Sequence, residues 1–101
     1  MKNPFVVLWA HGPAWVEGQT VRVQPYWDEH AAFMDRLFAE GMIVLGGPFV
    51  DDTGAMGIFE AESEQDLADL LARDPFVIHE VFTLSSLKQW RLFLDARRAS
   101  R

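Results

Sequence analysis

Hydrophobic positions change period several times along this chain, and each change marks an element. Phe5 to His11 is an almost unbroken apolar run rich in β-formers, stopped by Gly12-Pro13. It predicts a central strand covered on both faces. Phe5, Val7, Trp9 and His11 fall on one face, with Val6, Leu8 and Ala10 on the other. From Gly12 to Gln24 the period is lost. That stretch is either a long loop or a loop with an irregular extra strand at Thr20–Val23. Loops of this length often cover a site; the alternative is a surface excursion without a role.

The stretch from Pro25 to Phe49 organises the rest. Pro25 suits the first turn of a helix and Gly41 its left-handed stop. Between them Tyr26, Phe33 and Leu37 merge with Trp27, Ala31, Met34 and Phe38 into one apolar stripe. Asp28, Glu29, Asp35, Arg36 and Glu40 take the opposite side, whereas His30 falls near the middle of the stripe. Met42–Leu45 reads as a short strand that breaks at Gly46-Gly47-Pro48, where backbone or ligand can approach closely.

Asp51-Asp52-Thr53-Gly54 is a hairpin turn, and Ala55–Ala61 returns as a strand. Ser63, with Asp66 three residues on, starts a second helix whose buried face is Leu67, Leu70 and Leu71. Asp74 continues that face just before Pro75 closes the helix. Phe76–His79 suits a further short turn and Val81–Ser86 a strand. Trp90, Leu92 and Leu94 alternate with Arg91, Phe93 and Asp95, a last strand or arm before the polar tail 95–101.

This order, β-α-β-β-α-β, predicts an α+β fold of the ferredoxin-like, split β-α-β kind. It is an antiparallel sheet with two helices on one face. The strands are apolar on both sides, and too little chain remains to cover the second face. A second copy is the simplest cover, so a homodimer is expected.

Composition narrows the field. At 101 residues the chain fits one domain, 1–101, with a single core. A formal charge of −6 argues against a nucleic-acid partner, and the basic cluster Arg97, Arg98 and Arg101 reads as a solvated end. No apolar run is long enough to span a membrane and no leader pattern opens the chain, which leaves the cytoplasm as default. Without cysteine there is neither a disulfide framework nor a thiolate metal site. The aspartates at 51 and 52 read as turn residues, so no metal is expected.

The candidate chemistry is a pair. His30 on one buried stripe and Asp74 at the buried end of the other can meet if the two helices lie side by side. A carboxylate accepting from one imidazole nitrogen fixes the tautomer and leaves the other nitrogen to move a proton. Two plainer readings stand beside this one. Asp74-Pro75 is a good helix cap followed by proline at the first helical position, and a carboxylate has oxygens enough for both roles. A lone His on an apolar stripe is more often a hydrogen-bonded core histidine than a catalyst. Nucleophile motifs are absent.

The stretch WDEHAAFMDRLFAEGMIVLGGPF, followed by EAES, DLADLLARDPF and a strand ending near Trp90, resembles the YciI-like (YCII-related) family. The features that carry the likeness are the helical His before a glycine-stopped helix, the strand-end GGP and the Asp-Pro-aromatic at 74–76. The resemblance implies a dimeric α+β barrel, similar in fold to muconolactone isomerase. It also implies, by way of a family member described as a dehydrochlorinase of a chlorinated hydroxyquinol, that His30 and Asp74 form the catalytic pair. The function expected is cofactor-independent proton transfer (elimination, dehydrochlorination or isomerisation) on a small ring-containing acid or phenol. A non-catalytic binding domain using the same pocket is the alternative. Trp9, His11, Trp27, Gly47, Pro48, Phe49 and Phe76 are the expected pocket lining. Gly12–Gln24 departs from the shorter members, which bears on substrate shape.

Overall fold

A computed structural model describes residues 1–98. Strand β1 (Asn3–His11) is followed by a 3-10 turn (Val21–Val23), helix α1 (Trp27–Ala39) and strands β2 (Ile43–Pro48) and β3 (Gly54–Ala61). Helix α2 (Glu64–Leu71), the one-turn helix α3 (Pro75–Ile78) and strand β4 (Phe82–Gln89) complete the order. The strands form one sheet in the order β2-β3-β1-β4, every neighbouring pair antiparallel. This is the α+β, ferredoxin-like arrangement, with one short helix more than the sequence predicts.

Pairing register decides which face each side chain takes. Phe5 lies opposite Phe59, Val7 opposite Gly57 and Trp9 opposite Ala55, all on the face that packs against the helices. Leu37 of α1, Leu67 and Leu71 of α2 and Phe76 of α3 close this core, each at most 2% exposed. Val6 pairs with Ile58 and Leu8 with Met56 on the other face. A bulge between Ile43 and Leu45 puts Leu45 there too, opposite Ile58 and 68% exposed.

Several boundaries differ from the expectation, each for a local reason. Helix α1 begins at Trp27 rather than Pro25, because Tyr26 takes a left-handed conformation (φ 68°) and becomes the cap. Tyr26 thereby leaves the apolar stripe and stacks on His79, ring centroids 3.7 Å apart. Phe38 stays on the stripe but is 65% exposed. Thr20–Val23 is no strand; Val21–Val23 makes the 3-10 turn, with Val21 buried. Gln24, 3% exposed, pins the preceding loop: its side-chain amide donates to the Val16 and Gln19 carbonyls and its oxygen accepts from Val16 N–H.

Strand β4 runs to Gln89, three residues past the expected end. Beyond it the predicted last strand or arm is irregular: Trp90 N–H still donates to Pro4 C=O, and Phe93 and Leu94 are more than 75% exposed. In the tail, Arg97 and Arg98 clasp Asp95 and hold its carboxyl far below the usual carboxylate range. Residues 99–101 of that tail, with Arg101, lie outside the described residues. Among the described residues no helix is long and apolar enough to cross a membrane.

Candidate functional site

Asp74 is the hinge of the site. Helix α2 stops at Leu71, so Asp74 is not on its face; it caps α3, with Pro75 at the first helical position. Its Oδ1 accepts from Phe76 N–H at 3.0 Å and also from His30 Nδ1 at 2.8 Å. One oxygen therefore does both jobs that the sequence suggests for two. Oδ2 has no partner among the described residues, and the residue is fully buried. A buried carboxylate so placed is costly, and the imidazole contact offsets that cost.

The His30 ring is held on several sides. Phe76 stacks flat on it, centroids 4.0 Å apart and planes 7° from parallel. Phe82 meets it edge-on at 6.0 Å, and Trp27 sits tilted at 5.6 Å. Because a carboxylate only accepts, the proton of the neutral ring belongs on Nδ1. Nε2 then keeps its lone pair, and it has no protein partner among the described residues. The side chain is 11% exposed, and His30 lines a cavity of about 310 Å³.

That cavity exists because the sheet lacks side chains beneath it. Gly46 of β2 and Gly57 of β3 face each other across the ladder on the helix side, with Ala55 beside them. At Gly57 a Cβ would press against the Phe59 ring at 2.7 Å. The floor is therefore bare backbone, and Trp9, Trp27, Phe59 and Phe82 supply aromatic walls.

Of the residues expected around the pocket, Trp9, Trp27, Gly47 and Pro48 line this cavity together with His30. Three do not. His11 stacks on Trp15 at 3.7 Å beside a separate concavity, because the loop after β1 folds back over it. Phe49 lies at the β2–β3 hairpin, 39% exposed, past the end of the cavity. Phe76 backs the imidazole instead of the cavity. The sequence reading did not place Met34, Asp35 and Phe38 of α1 or Gly57 of the floor at the pocket, and it named Gly46 only as part of the corner open to close approach. Met34 and Phe38 follow His30 at one- and two-turn spacing, a signal that was present; the Gly46–Gly57 pairing was not legible without the register. Among the described residues no group of three or more His, Asp or Glu is placed to hold a metal ion.

Comparison with known proteins agrees with this architecture. The chain is 36% identical over 77 residues to the Bacillus subtilis protein named "Uncharacterized protein YjpA", covering 72% of this chain and 89% of that one. Its fold is similar to that of 5-chloro-2-hydroxyhydroquinone dehydrochlorinase from Burkholderia phenoliruptrix, solved in complex with 2,5-dihydroxybenzoquinone. The TM-score is 0.63 at 24% identity, over 87% of this chain and 93% of that one. Residues 5–91 match the YCII-related domain, and the chain belongs to that family.

Proposed function

We propose that this protein is a small cofactor-independent enzyme in which His30 and Asp74 move a proton on a small ring-containing substrate. The observation that carries this reading is the 2.8 Å contact between Nδ1 and Asp74, with the imidazole at the cavity wall. Nε2 abstracts a proton, and Asp74 stabilises the imidazolium that forms. The proton then returns at another position in an isomerisation. In a dehydrochlorination the proton moved from a ring hydroxyl to the chlorine-bearing carbon first makes that carbon tetrahedral. Loss of a second C–H or O–H proton then supplies the pair for the new π bond, and chloride leaves with the C–Cl pair. The fold likeness to a dehydrochlorinase supports the reading.

The test uses chlorinated and hydroxylated benzenes, 5-chloro-2-hydroxyhydroquinone among them, in deuterated water. Chloride release or deuterium incorporation into the ring above the buffer rate is the expected result. Compounds that bind at the cavity and are recovered unchanged and unlabelled would instead make the protein a binding domain.

The cavity floor offers a selective handle. At Gly46 a Cβ meets Ile43, the Met56 carbonyl and Gly57 at 3.6–3.8 Å, ordinary contact distances, so a side chain can start there and cover the floor. Gly46→Val is expected to weaken any ligand about ten-fold or more, on the order of 1.4 kcal/mol, while the thermal midpoint stays near wild type. At Gly47 a Cβ meets nothing within 4 Å, and its ladder partner Met56 faces the other side of the sheet. Gly47→Val is the control and should change affinity far less. Equal effects in a titration of both variants would remove the floor from the site.

The active form in this proposal is a homodimer. Val6, Leu8, Leu45, Met56 and Ile58 form an apolar outer sheet face that neither α1 nor α2 covers. Light scattering at micromolar concentration should give twice the 11.5 kDa chain mass. A monomer would leave that face unexplained, and Leu45→Lys is expected to shift a dimer toward monomer.

A further inference from the structure

The charge of the cavity bears on which rings it accepts, an inference that rests on the proposed use of the cavity as a ligand site. Among the described residues only one ionisable side chain besides His30 lines it: Asp35, next to Met34 on α1. No lysine or arginine of the described residues lines it. The neighbouring Arg36 turns to the Phe33 ring instead, 5.6 Å from its centroid. Among the described residues Asp35 has no ion pair, so its charge is free to act on whatever enters.

Among the described residues the one cation the cavity can offer is a protonated His30, and Asp74 already neutralises it at 2.8 Å. A carboxylate entering the cavity would lose water without gaining a partner cation, and would approach Asp35. The chain's charge of −6 repels it further on the way in. A ring hydroxyl or amide meets no such penalty, since it can donate to Asp35 or to the free His30 nitrogen. From these placements we infer that Asp35 is a specificity-determining residue, which selects uncharged, hydrogen-bond-donating rings and turns away the corresponding carboxylates. The acid half of the expected substrate range drops out.

The pair 4-hydroxybenzamide and 4-hydroxybenzoate tests this, because the two are nearly the same shape and differ in one negative charge. Each is titrated at pH 7 into ¹⁵N-labelled protein while the Trp9, Trp27 and His30 side-chain signals are followed. The amide should bind about ten-fold more tightly than the carboxylate. Asp35→Asn should shrink that ratio about five-fold, the effect of one partly solvated charge at close range. Asp35→Lys should bring the carboxylate level with the amide or past it. Asp35 is exposed, so circular dichroism and thermal melting should show both variants folded. Equal binding of both compounds to wild type at these signals overturns the charge selection and leaves the ligand site standing. A ratio unchanged by Asp35→Asn removes Asp35 as its cause. If neither compound shifts any of the three signals, the ligand-site reading itself falls, and this inference with it.

Discussion

His30→Ala should lower turnover, or ring deuterium exchange, by about 10²–10⁴-fold, the usual worth of a positioned acid–base group. The loss belongs in kcat, with KM little changed, because the imidazole contributes its proton-accepting nitrogen to the reaction more than contact area to the bound ring. Removing the imidazole also leaves the buried Asp74 carboxylate without its partner, so the variant should lose stability, and rates are compared where circular dichroism shows it folded. Asp74→Asn separates the two duties of that residue. Asparagine still caps α3 through its oxygen, so the helix start persists. What it loses is the charge that stabilises the imidazolium, and kcat should fall by less than in His30→Ala. Rates measured by chloride ion chromatography and proton NMR decide the order. A fully active His30→Ala protein would end the proton-transfer reading, and Asp74 would be a helix cap alone.

Phe76→Ala should destabilise the protein by about 3–5 kcal/mol, the range for removing a fully buried aromatic side chain. Phe76 is 0% exposed and meets Phe82 edge-on at 5.1 Å as well as lying flat on His30. Against a total stability of roughly 5–15 kcal/mol for a domain this size, the variant folds only marginally. Phe76→Leu retains most of the buried volume and should remove about 1–2 kcal/mol. Because leucine has no flat face to lay on the imidazole, it should still reduce kcat beyond what its stability predicts. Urea unfolding monitored by tryptophan fluorescence gives the first quantity and turnover the second. Full activity in a folded Phe76→Leu protein would reduce Phe76 to core packing.

Much of this was legible before the tertiary structure. The alternation over Phe5–His11 identified both the buried series Phe5, Val7, Trp9 and its opposite face, because a strand's side-chain period is fixed by backbone geometry. Gly41 is where α1 ends, in the left-handed conformation (φ 80°) that few other residues adopt. Ser63 caps α2 by accepting from Asp66 N–H, a bond made within four residues of chain. Such features are local, and local sequence decides them.

What the chain could not disclose from its order alone depends on parts distant in sequence coming together. Tyr26 looked like one more member of the apolar stripe; its removal follows from the turn at Gln24 and from the His79 ring 53 positions away, on which it stacks. Asp35 keeps the solvent exposure that helical period assigns it, and it also lines the cavity, because Gly47 and Pro48 of β2 border the same space from the sheet. The glycine floor needed the β2–β3 register, bulge included, since a shift of one residue would turn Gly46 to the opposite face. By itself, then, the sequence determined the elements, their order and the two residues with chemistry to offer, because periodicity, caps and side-chain type are properties of short stretches. Only the tertiary structure decided that His30 and Asp74, 44 positions apart, meet at 2.8 Å beside a cavity. That distance is set by packing two helices on one sheet, and packing is a property of the whole chain.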